Sequence, residues 1–437
     1  MSSRQGPPPP SPRSNATDTE DTPHPIADPA AASRRGAGYL LAGQAAMAAS
    51  QIVLVLLIAR LGGDTDAGRF LLLLGIATPT FAIANGGLRI IASADIRREL
   101  RTPHLLRLRI IGITLAAPLC LTVGAVALGP ATAPLACAVV TMKCVEAMSD
   151  LAYGFGQRDR RFRTIALGMT LRAVIGLTAA SALLLAGLDT TWAVVGVVAA
   201  SAAVFLSVEA RLLQSPTHAT PPARPKPILR RAIALGVMSA FGALFIYTPI
   251  YILGTFSLAQ AGTFGATQQL ALGFTLLAAA WGHAHTSRYA ELADHPRQLL
   301  VEIAKGAFIV AAPALLAAGV ALTHGRLFLD LAFGPDFNAT PATLAWLCAA
   351  TAAINLASLT IYACVAVTRD WCAPLVHLAG VTSCVALGLA FYPTFGTQGI
   401  AAAYLLAALA AAAVGVASIL LPLANRPLAG HPREAST

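Results

Sequence analysis

The sequence predicts an all-α polytopic membrane protein with about 12 transmembrane helices in two six-helix lobes around a central cavity. Composition is the first observation behind this prediction. Of the 437 residues, 56% are hydrophobic and only 11% are charged, and the mean hydropathy is +0.68, whereas soluble domains carry about 25% charged residues. The other two observations are a series of apolar windows and an alternating distribution of basic residues between them.

The apolar windows have the length of membrane-crossing helices, because a hydrocarbon core about 30 Å thick requires about 20 apolar residues per helix. Residues 1–37, which precede the first window, are polar and proline-rich and lack the apolar core of a signal peptide. They are therefore predicted to form a disordered tail. The predicted spans are 38–60, 69–91, 107–129, 133–156, 166–187, 191–212, 231–254, 259–283, 302–323, 340–365, 372–392 and 397–422.

Lysine and arginine lie almost entirely in alternate connections between these spans. The opposite connections carry only Arg60, Arg69 and Arg326. Because basic loops remain in the cytoplasm, this contrast predicts that both termini are cytoplasmic, and it accounts for the net charge of +10 without a nucleic-acid partner. The basic residues of the alternate connections are Arg89, Arg97, Arg98, Arg101, Arg107 and Arg109, then Arg158, Arg160, Arg161 and Arg163, then Arg224, Lys226, Arg230 and Arg231, and finally Arg288, Arg297, Lys305 and Arg369.

A proline-rich, charged segment at 214–230 divides the chain into two lobes, 38–213 and 231–422, and a short cytoplasmic tail follows at 423–437. Two six-span lobes of the same orientation suggest a parallel repeat. Transporters use this arrangement to form a substrate cavity at the interface between the lobes.

Three charged residues, Lys143, Glu146 and Asp150, occupy one face of the fourth predicted span. A charge at mid-depth costs roughly 2.5–3.5 kcal/mol on insertion scales, so this face is predicted to point into protein or a water-filled cavity. Arg172 of the fifth span lies at a depth where it could pair with Asp150 or Glu146. Either these residues form an ion-pair brace between the two spans, or Lys143 and Arg172 present positive charge to an anionic substrate while the carboxylates orient them or accept a proton.

Pro249 is predicted to kink the seventh span and to act as a hinge, with Tyr247 and Tyr251 flanking the kink. No motif for a metal site, a phosphate loop or a catalytic nucleophile is found in the sequence. His283 and His285 point to different helix faces, and the seven cysteines lack ligand spacing. The sequence therefore predicts no cofactor, no metal and no enzymatic activity.

Several segments together resemble the polysaccharide-unit flippases of the multidrug/oligosaccharidyl-lipid/polysaccharide exporter superfamily. The best match is KCVEAMSDLAYGFGQRDRRFRTIALGMTLR, from Lys143 to Arg172, in which Lys, Glu and Asp precede Gly, Gln, a basic turn and a final Arg. One departure is Ile250, which stands after Pro249 where family members often have Arg. The other similar segments are Leu56–Pro79, Ala92–Leu100, Thr248–Leu270 and Leu329–Thr340.

This resemblance implies a flippase that moves a polyprenyl-diphosphate-linked oligosaccharide across the bacterial inner membrane for lipopolysaccharide or exopolysaccharide synthesis. Its partners would be the lipid bilayer and the polysaccharide polymerase or export machinery. The resemblance also implies that the cationic residues that bind the diphosphate lie in the first lobe. The candidate substrate-binding residues are Lys143, Arg172, Arg89, Tyr247 and Tyr251, and Glu146 and Asp150 are candidates for ion coupling or charge pairing.

Three alternatives remain open at this point. A multidrug antiporter of the same superfamily would share the spans and lobes, but an acid is expected in its first or seventh span, where this chain has none. A major-facilitator transporter would carry glycines in the loop after the second span. An integral-membrane transferase with a polyprenyl-linked donor would stop forming product when Glu146 and Asp150 are replaced by Gln and Asn.

Overall fold

The computed structural model describes residues 29–95, 100, 102–214, 225–367, 369 and 371–421, and this part of the chain is helical with no β-strand. Ten of its helical stretches are long and apolar enough to cross a membrane. The predicted all-α polytopic class is confirmed. The α-helices are α1 (Pro29–Leu57), α2 (Asp64–Asn85), α3 (Leu88–Ala94), α4 (Thr102–Leu128), α5 (Ala133–Arg158), α6 (Phe162–Leu185), α7 (Thr190–Val204), α8 (Pro225–Phe256), α9 (Leu258–Leu272), α10 (Thr275–Glu291), α11 (Pro296–Phe333), α12 (Pro341–Ala366) and α13 (Cys372–Leu420).

Two features relate these helices to the predicted spans. Helix α13 is 49 residues long and holds the last two predicted spans, which meet at a kink where Gly396 has φ 56° and ψ −137°. The eighth predicted span is divided into α9 and α10 by a break at Gly273 and Phe274. Such broken helices occur in membranes where the backbone is buried in protein or lines a cavity.

Some predicted boundaries differ from the structure. Helix α1 begins at Pro29, inside the predicted tail, and α8 begins at Pro225, inside the predicted linker. Helix α11 continues to Phe333, well beyond the predicted span end at 323, because no proline lies between that position and Gly334, whose φ of 100° ends the helix. The predicted tail residues 1–28, the linker residues 215–224 and the C-terminal tail 423–437 lie outside the described residues, and the lobe boundaries stay a prediction.

Helices α1–α7, here called the first half, pack mainly on one another, as do α8–α13, the second half. Helix α2 is the main exception, since it packs along both α8 and α9. Glycines permit this contact. A Cβ at Gly68 would lie 2.0 Å from the Leu258 carbonyl oxygen, and a Cβ at Gly262 would lie 1.8 Å from the Asp64 carbonyl oxygen. Small residues of this kind allow backbones in a membrane to touch.

The bundle has two chemically different ends. The Asp64 end contains the starts of α2 and α9 and the end of α11, and there Arg60 donates a 3.1 Å hydrogen bond from its Nη1 to the Leu331 carbonyl, across the two halves. The arginine-rich end contains α3, the end of α5 and the end of α10. Between α2 and α3 the chain turns through Gly86 and Gly87, which have φ of 54° and 56°, and this turn positions Arg89.

Candidate functional site

A cavity of about 270 Å³ lies inside the first half, between α1, α2, α5, α6 and α7. Lys143, Glu146 and Arg172 line it together with Gln51 and Ser50, and the rest of its wall is largely apolar. Its volume is just below the roughly 300–1,000 Å³ typical of pockets for drug-sized ligands. The structure therefore brings Lys143 and Arg172 to one cavity, but this cavity lies within the first half and not between the two lobes, where the sequence predicted one, and its size suits a small polar group.

Lys143 and Glu146 form an ion pair within one helical turn of α5. Their Nζ and Oε2 atoms are 2.8 Å apart, and the two side chains are 14% and 34% exposed. The Tyr247 hydroxyl, from the second half, is an electrostatic neighbour of the Lys143 ammonium group. Lys143 is thus paired within its own helix and faces the second half.

Arg172 does not pair with Asp150 or Glu146, as the sequence had suggested, but with Glu209. The Arg172 Nη2 and Glu209 Oε2 atoms are 2.7 Å apart, and the side chains are 5% and 0% exposed. Arg172 also donates to the Ser149 hydroxyl, and the Tyr153 hydroxyl donates a 2.5 Å hydrogen bond to Glu209 Oε1. This cluster, Arg172, Glu209, Ser149 and Tyr153, is called the buried cluster below.

Glu209 was missed at the level of sequence, although a signal was present. It is the one acidic residue of the sixth predicted span, 191–212, although it lies near the end of that span, where a charge costs less than at mid-depth. It lies in the π-helical turn Phe205–Glu209 that follows α7. Gly168 on α6 leaves room for it, since a Cβ there would be 2.9 Å from Glu209 Oε1.

Asp150 forms ion pairs with two arginines. Its carboxylate oxygens lie 3.1 Å from Arg109 Nη2 and 3.6 Å from Arg89 Nη1. Arg109 is fully buried and also donates to Asn85, whereas Arg89 is 22% exposed and donates a 3.4 Å hydrogen bond to Gln157. Arg109 had been counted only as a topology signal. Because two guanidinium groups share one carboxylate, this Asp150 cluster carries an excess of positive charge.

Tyr153 connects the two clusters. Its hydroxyl belongs to the buried cluster, and the Arg89 guanidinium lies over its ring, 5.6 Å from the centroid. Arg89 is also an electrostatic neighbour of His283 on α10, in the second half. Counted together, Lys143, Arg172, Arg89 and Arg109 face the carboxylates of Glu146, Glu209 and Asp150, an excess of one positive charge.

Tyr247 and Tyr251 lie in the contact between the halves. Their ring centroids are 6.4 Å apart, and both rings cover Gly75 of α2, where a Cβ would be 2.8 Å from Tyr251 and 3.2 Å from Tyr247. The Tyr251 hydroxyl donates to the Gly75 carbonyl. Pro249 lies between them inside α8, which remains one helix from Pro225 to Phe256. Its role as a hinge stays a prediction.

Substitution of Tyr251 by Phe tests this contact. Removing one hydrogen bond and leaving the Gly75 carbonyl without its side-chain donor is expected to destabilise the protein by about 0.5–1.5 kcal/mol. Thermal unfolding in detergent measures the effect. Tyr39→Phe is the control, since the Tyr39 side chain is 47% exposed and its hydroxyl is open to solvent. Equal stability of the native chain and Tyr251→Phe would contradict the assignment.

His283 and His285 contact different aromatic side chains. His285 stacks on Trp281 with ring centroids 3.9 Å apart, while His283 contacts Tyr362 edge-on at 5.1 Å. Within the described ranges, no group of three or more His, Cys, Asp or Glu side chains is placed to hold a metal ion.

The fold and this charged interior define a class: a polytopic α-helical protein of two halves with polar groups buried between its helices. No family model matches the sequence, and no curated protein matches it. Solved structures do match, among them transporters of the MATE family and of the MOP superfamily that includes it.

Three of these structures cover nearly the whole chain. A point mutant of the Vibrio cholerae MATE transporter VcmN is 12% identical, with a TM-score of 0.65 over 90% of this chain and 96% of that one. An outward-facing multidrug-resistance MATE transporter is 15% identical, with a TM-score of 0.65 over 89% and 94%. A MOP-superfamily transporter from Pyrococcus furiosus, whose reversed binding-pocket polarity suggests a different function, is 14% identical, with a TM-score of 0.62 over 89% and 94%. The chain has the fold of these transporters.

Proposed function

We propose that the protein is a membrane transporter that flips a polyprenyl-diphosphate-linked oligosaccharide from the cytoplasmic to the outer leaflet by alternating access. The observation that carries the proposal is the excess positive charge of the Asp150 cluster, with Arg89 partly exposed. A site with excess positive charge is suited to an anionic ligand. We place the arginine-rich end in the cytoplasm of a bacterial inner membrane, following the distribution of basic loops.

The physical problem of such a transporter is the charge of the diphosphate. A hydrated dianion cannot enter hydrocarbon without large cost, and guanidinium groups replace its water and counterions with charge-assisted hydrogen bonds. Arg89 suits this role because it is the more exposed of the two arginines in the Asp150 cluster, and Asp150 keeps Arg109 when Arg89 turns to a ligand. Movement of the two halves around the bound head group then transfers it while the lipid tail remains in the membrane.

The charged interior thus combines the two roles that the sequence left open. Arg172 is 5% exposed, has two side-chain partners and stabilises the contact between α5, α6 and the turn after α7. Lys143 and Glu146 border the cavity and remain close to water. In this proposal Arg172 stabilises the fold, Arg89 binds the diphosphate head group, and Lys143 provides a second positive charge for it.

The test is transport of a fluorescent polyprenyl-diphosphate oligosaccharide in proteoliposomes. Arg89→Ala is expected to weaken apparent substrate affinity about tenfold to a hundredfold, the equivalent of one charged hydrogen bond of about 1.5–3 kcal/mol, and Arg89→Lys should lose less. Arg288→Ala is the matched control, because its pair with Glu291 lies near the same end and is more than half exposed. Transport by Arg89→Ala at the native rate and affinity would refute the proposed grip.

A multidrug antiporter is the competing function, and the fold of the structural neighbours favours it. Cationic drugs require a cavity with excess negative charge, whereas the counted groups leave an excess of one positive charge here. The same proteoliposomes separate the two functions. Uptake of a cationic dye, unaffected by the lipid diphosphate and abolished in Glu146→Gln, would establish the antiporter and exclude the flippase.

A further inference from the structure

An apolar groove of about 290 Å³ lies on the outer surface of the bundle, over α2 and between α4 of the first half and α8 of the second. Thr80 is the one polar residue among its described lining residues, and the Thr80 hydroxyl donates its proton to the Ile76 carbonyl at 2.8 Å. The other lining residues are aliphatic or glycine. The groove therefore suits an apolar chain and has no partner to offer a polar one.

The two wall helices are held beside α2 by close backbone contacts. A Cβ at Gly112 of α4 would lie 2.5 Å from the Ala84 carbonyl oxygen, and a Cβ at Gly236 of α8 would lie 2.7 Å from the Ile83 carbonyl oxygen. Small residues allow this approach of helices in a membrane. Because α4 and α8 pack on neighbouring parts of α2, the space between them becomes a groove with α2 as its floor.

The groove faces the lipid and has the length of one leaflet. Leu115 and Ile233, on its opposite walls, are 68% and 52% exposed. Along α4 the lining residues extend from Leu108 to Leu119, which is roughly 16 Å at about 1.5 Å per residue and about half of a hydrocarbon core about 30 Å thick. One acyl chain from the leaflet at the arginine-rich end therefore fits along the groove.

Two basic residues lie where the groove reaches the arginine-rich end. Arg107 precedes the lining residue Ile111 by four positions on α4, and Arg230 precedes Ile233 by three on α8, so each lies on the groove side of its helix. Both arginines are exposed, and no ion pair to either is found in the described part of the chain. Since α4 and α8 both begin at this end, the Cα–Cβ bonds of the two arginines tilt toward the level of the lipid head groups.

We propose that this groove binds an anionic phospholipid, with one acyl chain in the groove and its phosphate against Arg107 and Arg230. The aliphatic lining suits the chain, and the two unpaired guanidinium groups complement a head group of negative charge, as basic pockets between transmembrane helices do. A zwitterionic phospholipid offers the same chains without net charge. The arginines therefore determine which phospholipid is preferred.

The site is separate from the charged interior. Arg109 follows Arg107 by two positions on α4, so the two side chains point in nearly opposite directions. Arg109 is fully buried and pairs with Asp150, whereas Arg107 is exposed on the outer surface. The diphosphate of a transported lipid, which we assign to Arg89, is thus bound elsewhere, and the phospholipid site does not depend on the proposed flippase activity.

The first experiment detects a lipid in the groove by fluorescence quenching. In a full chain whose four native tryptophans are replaced by Phe, Leu115→Trp places a fluorophore in the groove. Val174→Trp is the matched control, since it is 57% exposed on α6 at a similar distance from the arginine-rich end. In vesicles, phosphatidylglycerol with brominated chains is expected to quench Leu115→Trp at a lower mole fraction than phosphatidylcholine with the same chains, and both should quench Val174→Trp equally.

Charge variants then test the head-group contact. Each arginine is expected to contribute about fivefold in relative affinity, the equivalent of about 1 kcal/mol near a membrane surface, so Arg107→Gln with Arg230→Gln should remove most of the preference. Arg231→Gln is the matched control, because Arg231 is two positions from Ile233 and lies on the other side of α8. Equal quenching of Leu115→Trp by both lipids, an unchanged preference in the double variant, or displacement by polyprenyl phosphate at a lower mole fraction than by phosphatidylglycerol would each overturn the proposal.

A second measurement uses the native chain and needs no substitution. Long-chain phosphatidylglycerol, which contacts α4 and α8 together, is expected to raise the thermal unfolding temperature in detergent. Long-chain phosphatidylcholine should raise it less, and glycerol phosphate, which has the charge without the chain, should leave it unchanged. An equal shift with either of these two would also overturn the proposal. Transport is not measured in these experiments, so failure of the lipid site and failure of the flippase proposal are distinguishable.

Discussion

Substitution of Arg172 by Ala is expected to destabilise the protein by about 3–5 kcal/mol, one of the two largest effects that the structure predicts. The variant leaves Glu209, which is 0% exposed, without its cation. The Tyr153 hydroxyl alone, at 2.5 Å, cannot compensate a buried carboxylate. Thermal and denaturant unfolding in detergent measure the loss.

A double-mutant comparison separates the pair from the packing of the arginine. Arg172→Met with Glu209→Gln removes both charges while keeping side-chain volume, and it is expected to recover most of the stability lost in Arg172→Ala. Arg288→Ala supplies the control, because an ion pair that is 53% and 64% exposed contributes about 0–1 kcal/mol. A double variant no more stable than Arg172→Ala would show that the charge of Glu209 is not what the arginine compensates.

Stability and transport should respond differently across the charged interior. The pair of Arg172 and Glu209 holds three segments together and faces little water, so its loss acts through folding. Arg89 is tethered by Asp150, Gln157 and the Tyr153 ring but keeps a fifth of its surface exposed, so its loss is expected to act on substrate affinity. Tyr153 contacts both Glu209 and Arg89, so it links the stabilising ion pair to the proposed substrate-binding arginine.

The sequence predicted the fold well because a membrane imposes simple rules. The length of the apolar windows predicted the helices, since it depends only on local composition. The ends of α1, α8 and α11 were less predictable. Helices in this chain continue into polar or amphipathic sequence, as α11 does as far as Gly334.

The ion pairs of the charged side chains depend on tertiary packing, and the spacing of residues along one helix predicted only one of these pairs. The pair of Lys143 and Glu146 is local and follows from helical geometry. The pairing of Arg172 with Glu209 and that of Asp150 with Arg109 cross between helices, 37 and 41 positions apart. Glu209 and Arg109 lie near predicted span ends, where a charge looks ordinary until the structure shows that it is fully buried.

The second large effect concerns the closed Asp64 end. Gly262→Ala is expected to separate α2 from α9, because the new Cβ would lie 1.8 Å from the Asp64 carbonyl oxygen and 2.6 Å from the Gly68 nitrogen, both backbone atoms. Backbone cannot move aside as a side-chain tip does, so relief requires displacement of the helices. We expect a loss of about 1–3 kcal/mol in stability and longer distances between spin labels at Leu61 and Phe395, both exposed at this end.

Gly319→Ala is the matched control, since the same methyl group on α11 meets no atom within 4 Å. There the substitution should be neutral or stabilising by up to about 1 kcal/mol, as for a glycine inside a helix. Since alternating access requires each end to close in turn, Gly262→Ala should also slow transport, whereas Gly319→Ala should leave it unchanged. Unaltered label distances in Gly262→Ala would mean that α2 and α9 yield locally, and that their contact does not determine whether the Asp64 end is closed.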